Sequence, residues 1–176
     1  MKTLVLSYSY TSNNARYAAA LSAALGATHV QVQPKHKVTY GSITLDLIFS
    51  RKPEISFVSA TLREYDLVLL VAPVWIGQPA FPLRRCLDAL KGNAVPYGFL
   101  TICGGSDEGN PTLPGSILRR TGRAPALVYQ QHLCKLLASS PAMTRQEVMD
   151  YRLTERDCAT LVENALQAIT KAFPTI

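Results

Sequence analysis

Short apolar runs recur along the chain, each closed by a polar turn or by glycine and proline: Thr3–Ser7, Leu67–Ala72 and Val95–Cys103. Continuous apolar runs of this length read as strands buried on both faces, as in a parallel sheet. The segments between them carry helical spacing. Ala15–Leu25 is alanine-rich, with Tyr17, Ala20, Leu21, Ala24 and Leu25 on one stripe, and it predicts a helix that starts near Asn13 and stops at Gly26. Thr28–Gln33 alternates Val30 and Val32 with polar neighbours, which suits a strand nearer the sheet edge, ended by Pro34. Ser42–Phe49 reads as a helix through Ile43 and Leu47, and the stretch after Pro53 as irregular chain with Ile55, Phe57 and Val58 against the core.

In Phe81–Leu90, Phe81, Leu83, Leu87 and Leu90 face one way and Arg84, Arg85 and Asp88 the other, predicting an amphipathic helix. A short helix is expected around Ser116–Arg120 and a last strand within Pro125–His132. The final helix is expected over Leu153–Phe173, with Thr154 as N-cap and Asp157 three positions on as a capping box. Pro73–Gln78 is too rich in proline and glycine to be regular and predicts a loop.

Strands and helices alternate throughout, without an internal repeat or a linker. The expected architecture is a single α/β domain over residues 1–176, a doubly wound parallel sheet with helices on both faces. Ligands bind such sheets beyond the C-terminal ends of the strands, at the switch point of strand order. The loops Ser9–Asn14, Pro73–Gln78 and Cys103–Asn110 all follow strands and should converge there.

The first of these loops carries the clearest chemistry. Five of its six positions, Ser9, Thr11, Ser12, Asn13 and Asn14, are hydroxyl or amide residues between a buried strand and a helix. Free backbone N–H groups and hydroxyls at the positive end of a helix dipole form an anion site, most often for phosphate. A helix cap alone needs one such residue, not five.

Composition narrows the remaining classes. With 48% hydrophobic and 17% charged residues in 176, the chain is that of an ordinary globular protein, able to bury about 70% of its unfolded surface. No apolar run approaches the roughly 20 residues that span a bilayer, and the N-terminus lacks a cleavable apolar segment, so a cytoplasmic location is expected. Four dispersed cysteines, Cys86, Cys103, Cys134 and Cys158, form neither a disulfide framework nor a zinc pattern, and His29, His36 and His132 show no ligand spacing, so no metal is expected. The net charge of +6 calls for an anionic substrate, nucleotide phosphate or acidic partner, with Arg84, Arg85 and Arg119–Arg123 as candidate contacts. Nucleic acid is not expected, because the basic residues lack the aromatic interleaving of a single-strand platform. There is no G-x-S-x-G elbow, no G-x-x-x-x-G-K-[ST] loop and no evident acid–base residue.

Three motifs, in order, carry a resemblance to the flavodoxin-like FMN-binding proteins. Ser9-Tyr10-Thr11-Ser12-Asn13-Asn14 is similar to that family's S-x-T-G-N-T phosphate loop. Tyr65-Asp66 leading to Pro73-Val74-Trp75-Ile76-Gly77 is similar to its YD…PVWxG loop, and Thr101-Ile102-Cys103-Gly104-Gly105 to its glycine-bearing third loop. Arg51-Lys52-Pro53-Glu54-Ile55 also looks like the region before the third strand in some members. The resemblance implies a five-stranded flavodoxin-like sheet of order 2-1-3-4-5 with FMN as cofactor. Thr11, Ser12, Asn13 and Asn14 would hold the phosphate, with Ser9 at its side. Pro73, Val74, Trp75, Ile76 and Gly77 would flank the isoalloxazine, Trp75 by stacking, and Cys103, Gly104 and Gly105 would approach its other side. Two positions depart from the pattern: Ser12 stands where the family has Gly, and Asn14 where it has Thr. A left-handed backbone at a serine costs about 1 kcal/mol or more, so loose FMN binding is expected if the loop requires it.

The resemblance leaves three functions open. One is an FMN-dependent oxidoreductase passing electrons from NAD(P)H to a quinone-like acceptor, in a monomer or a homodimer. Another is a one-electron carrier between redox proteins; dedicated carriers of the family are strongly acidic, whereas this chain is basic, so such a carrier would need an acidic redox partner. The third is an interaction or regulatory module that keeps the scaffold with weak or no flavin binding.

Overall fold

Residues 1–35, 59–104, 109–136 and 145–174 are described by the structure, a computed structural model. The strands are β1 (Thr3–Ser7), β2 (Thr28–Gln31), β3 (Leu67–Val71), β4 (Val74–Trp75), β5 (Gln78–Pro79), β6 (Tyr97–Cys103) and β7 (Leu127–His132). Five of them form one parallel sheet in the order β2-β1-β3-β6-β7, while β4 and β5 pair antiparallel as a separate hairpin. The expected order 2-1-3-4-5 therefore becomes 2-1-3-6-7, because the two short hairpin strands intervene along the chain before the fourth sheet member.

Every residue of β1 and β3 is buried, as their unbroken apolar runs require. Side chains alternate between the two faces of the sheet, and each face has its own core. On one side Leu4, Leu6, Val68, Leu70, Tyr97 and Phe99 pack with residues of α2 (Arg84–Ala89) and α3 (Leu113–Thr121). On the other, Val5, Leu67, Leu69, Leu100 and Ile102 pack with α1 (Asn13–Leu25) and α6 (Glu155–Ala172). Helices thus cover both faces. Two further α-helices, α4 (Leu133–Leu136) and α5 (Arg145–Asp150), are short, and a 3₁₀ helix spans Ser59–Glu64 before β3.

Several boundaries shift for identifiable reasons. Strand β2 ends at Gln31, although Val32 N–H still donates to Ser7 O at 2.7 Å. Strand β6 begins only at Tyr97, since Pro96 has no N–H for the ladder. Phe81–Leu90 opens with a 3₁₀ turn over Phe81–Leu83, with Pro82 in it, before α2 begins. Helix α3 is longer than Ser116–Arg120, because Pro114 is tolerated in a first turn. Helix α6 starts with the expected capping box: Asp157 N–H donates to Thr154 Oγ1 at 3.2 Å, and Thr154 N–H donates to Asp157 Oδ2 at 2.8 Å. The expected helix over 42–49, the 51–55 stretch, Phe57, Val58 and Gly105 lie outside the described residues.

Candidate functional site

Beyond Ser7 the chain leaves β1 and turns into α1. Tyr8 N–H donates to Val71 O at 3.0 Å, which carries the chain out over the end of β3. Ser12, the N-cap of α1, has φ 74 and ψ −15, a left-handed backbone, and its side chain caps nothing. The first helical bond runs from Arg16 N–H to Ser12 O at 2.9 Å. The N–H groups of Asn13, Asn14 and Ala15 therefore have no intrahelical acceptor. Ser9 Oγ is buried and, among the described residues, has no hydrogen-bond partner. An uncapped helix start, a strained cap residue and an orphaned hydroxyl together make a cradle suited to an anion.

Asn13 and Asn14 use their side chains within the fold. Both are buried, and their side-chain amides brace other parts of the fold. Asn13 Nδ2 donates to Tyr151 O at 2.9 Å, and its Oδ1 accepts from Leu153 N–H at 3.1 Å. Asn14 Nδ2 donates to Ile102 O at 3.3 Å, and its Oδ1 accepts from Ile102 N–H at 3.1 Å. What these two residues offer an anion is backbone N–H. Arg16, the next polar residue, donates from its guanidinium to Leu153 O at 2.8 Å.

The Pro73–Gln78 segment is regular, contrary to the loop expected there. Val74 pairs with Pro79 and Trp75 with Gln78, and Ala80 N–H donates to Pro73 O at 2.9 Å. The turn residues Ile76 and Gly77 have φ 51 and φ 70, the pair of positive values that a tight hairpin turn demands. Ile76 and Ser12 are the non-glycine residues with positive φ among those described, and both stand in candidate site loops. Ile76 is 70% exposed at the hairpin tip. At Gly77 the positive φ favours glycine, and a Cβ there would press on the Thr112 hydroxyl where the hairpin meets the start of α3.

Trp75 is half-buried and sits among three aromatic rings, each roughly perpendicular to it: Tyr8 at 5.7 Å, Phe81 at 5.6 Å and Tyr10 at 6.1 Å between centroids. Edge-to-face packing of this kind fixes the indole. Burial, and then the neighbouring Tyr10, push the Tyr8 phenol up to about 12, so it stays a neutral packing group.

At the end of β6, Cys103 is half-buried, and Gly104 follows it. Burial pushes the Cys103 thiol up, only partly offset by Thr101 Oγ1 at 3.9 Å, so it is a thiol at neutral pH and not a nucleophile. Asn110 Nδ2 reaches Cys103 Sγ at 3.8 Å and Gln130 Oε1 at 3.2 Å. Sequence reasoning did not single out Gln130, which lies inside β7, or Tyr10, which it read only as part of the first loop.

The structure thus brings the loops together through side chains. Tyr10 meets Trp75, Asn14 ties α1 to Ile102, and Asn110 ties the chain after β6 to Cys103 and Gln130. Three of the candidate arginines make structural contacts, while Arg85 and Arg119 are exposed. Arg84 is 3% exposed with its guanidinium 3.8 Å over the Phe81 ring, Arg120 pairs with Asp88 at 3.1 Å, and Arg123 lies over Tyr97 and donates to Val95 O. Among the described residues no three His, Cys, Asp or Glu side chains are grouped to hold a metal, and no helix is long and apolar enough to cross a membrane.

No protein-family model matches the sequence, and no curated protein does either. Solved structures do match. A flavoprotein from Lactobacillus acidophilus NCFM, in complex with FMN, shares 23% identity at a TM-score of 0.60, over 78% of this chain and 97% of that one. A protein of Bacteroides eggerthii DSM 20697 ascribed to the flavoproteins shares 18% at 0.62, over 84% and 92%. A flavodoxin from the domain Archaea shares 11% at 0.55, over 98% and 99%. At these identities the likeness is one of architecture. With its five-stranded parallel sheet, its helices on both faces and its three loops at the strand ends, the chain has the flavodoxin-like fold.

Proposed function

We propose that the chain is an FMN-binding flavoprotein whose phosphate cradle is Ser9–Asn14. The observation that carries this is Ser12: a serine held at φ 74 in front of an uncapped helix, beside the orphaned hydroxyl of Ser9. Such strain persists where the surrounding structure enforces it, which is commonly at a ligand site. The chemistry of the donor set fits. Backbone N–H groups of Asn13 and Asn14 and the hydroxyls of Ser9, Thr11 and Ser12 would hold a phosphate dianion without a Lys or Arg in the loop, aided by the helix dipole. Pro73, Val74, Trp75, Ile76 and Gly77 on one side, and Cys103 and Gly104 on the other, would flank the ring. That the Lactobacillus acidophilus flavoprotein binds FMN supports the choice of cofactor.

Bound FMN supplies hydride and single-electron chemistry, so the protein's own task is to bind, orient and exclude water. We further propose an oxidoreductase that takes electrons from NAD(P)H and passes them to a quinone-like acceptor. The net charge of +6 supports this over a carrier, since it favours approach of an anionic dinucleotide. The same charge would suit a carrier whose partner is an acidic redox protein, which is the second reading.

Reconstitution tests the cofactor. Purified protein mixed with FMN should turn yellow and quench flavin fluorescence. No binding at tens of micromolar FMN would leave only a scaffold used for interaction. With FMN bound, NAD(P)H oxidation coupled to a quinone is the expected activity, and its absence would favour the carrier.

A further inference from the structure

Near the C-terminal ends of β6 and β7, the side chains of Asn110 and Gln130 hold one another in a single orientation. Asn110 N–H donates to Gln130 Oε1 at 2.9 Å, which settles which end of the Gln130 amide is the oxygen. The same oxygen accepts from Asn110 Nδ2 at 3.2 Å, which settles the Asn110 amide in turn. Among the described residues, two groups of this pair are left without a partner, the acceptor Asn110 Oδ1 and the donor Gln130 Nε2. Gly109, at φ 67, wraps the chain against the amide: a Cβ there would stand 3.5 Å from Gln130 Nε2. Gln130 pairs in register with Thr101, and His132 with Cys103. His132 is two residues from Gln130, so both side chains leave the same face of β7. It is 6% exposed, and its Nδ1 has no partner among the described residues, a third polar group without a partner at this strand end. Asn110 Nδ2 lies 3.8 Å from Cys103 Sγ, one residue beyond the Ile102 that Asn14 clamps to the phosphate loop.

We infer that Gln130 and Asn110 are the specificity-determining residues of the proposed FMN site, a fixed donor–acceptor pair that reads the adjacent C=O and N–H groups of the flavin's imide edge. The inference rests on the FMN reading. A pre-oriented acceptor beside a pre-oriented donor matches an N–H/C=O edge and mismatches a hydrocarbon or an anion. Because the pair orients itself before the ligand arrives, it discriminates without a cost of ordering at binding.

The test uses Gln130→Glu and the analogue 3-methyl-FMN, with binding followed by flavin fluorescence and folding by thermal melting. Gln130→Glu keeps the size and the oxygen that Asn110 uses but replaces the donor with a second oxygen. It is expected to weaken FMN about tenfold or more. Wild-type protein is expected to bind 3-methyl-FMN about tenfold more weakly than FMN, because the methyl group removes the N–H that Asn110 Oδ1 accepts. If wild-type protein binds FMN while Gln130→Glu, folded, binds it equally well, the inference is overturned and the FMN site stands. Should the variant fail to fold, equal affinity of wild-type protein for FMN and 3-methyl-FMN overturns it alone. Absence of FMN binding to wild-type protein is a different result, and it removes the FMN reading itself.

Discussion

Asn14 and Ile102, 88 residues apart, are joined by two hydrogen bonds: the Asn14 amide donates to Ile102 O at 3.3 Å and accepts from Ile102 N–H at 3.1 Å. The first turn of α1 is thereby fixed to the strand that carries the third site loop. Both residues are buried, so water cannot take over these bonds. Asn14→Ala is predicted to destabilise the fold by about 1–3 kcal/mol, because it leaves the strand's backbone groups unpaired. Urea unfolding with and without FMN checks this. Stability should fall in both conditions, whereas a residue serving the ligand alone would change only the FMN-bound protein.

Ser12 gives the opposite sign. Its left-handed backbone costs what glycine would not incur, and its side chain makes no capping bond that glycine would lose. Ser12→Gly should stabilise the protein by about 1 kcal/mol, and it should weaken FMN binding through loss of the hydroxyl proposed to hold the phosphate. Denaturant midpoints and FMN titration check both. A destabilised Ser12→Gly would mean that the serine hydroxyl matters more to the loop than its backbone strain.

Gly77 tests the hairpin. Alanine there meets φ 70 and places its Cβ against the Thr112 hydroxyl, so Gly77→Ala should cost about 1–3 kcal/mol and weaken FMN. Thr112→Ala in the same chain should restore part of that loss by removing the clash, but not the part due to φ. Melting temperatures of the single and double variants separate the two contributions.

The Tyr151–Asp157 pair predicts a pH profile. Burial works to raise the Asp157 carboxyl, but hydrogen bonds from the Thr154 backbone, Tyr151 and the Thr154 hydroxyl outweigh it and hold the pKa below 3.8. A depressed carboxyl contributes stability that is present above its unfolded pKa and lost as pH falls through the folded one. The hydrogen bond to Asp157 is the main cause that raises Tyr151 to about 12, with burial adding to it, so the phenol's contribution is full below 10 and lost between 10 and about 12. Asp157→Asn should flatten both limbs of the stability–pH curve, measured by denaturation from acid to alkaline pH.

What could be read from the sequence, and what could not, follows from distance along the chain. β1 and β3 announce themselves because both faces are covered and no polar residue needs to interrupt them. The capping box of α6 is local, Thr154 to Asp157, and equally plain. The hairpin after β3 was hidden because its turn uses Ile76-Gly77, where an asparagine would have signalled positive φ. Arg84 reads as an outward charge, yet it is buried over Phe81. Helices α4 and α5 are too short for a period to show. In the candidate site, the polar run between β1 and α1 was legible as the start of a helix. That the amides of Asn13 and Asn14 serve residues 102, 151 and 153 was not, since those bonds span 88 to 140 positions.

The central claim is that the Ser9–Asn14 cradle takes the phosphate of FMN. Parallel fluorescence titrations of the protein with FMN and with riboflavin, which differ by that phosphate alone, test it most directly. The account predicts that FMN binds about tenfold or more tightly than riboflavin, and that Thr11→Ala narrows the gap by weakening FMN only. Equal affinities for the two flavins, or a Thr11→Ala variant that weakens both alike, would contradict it.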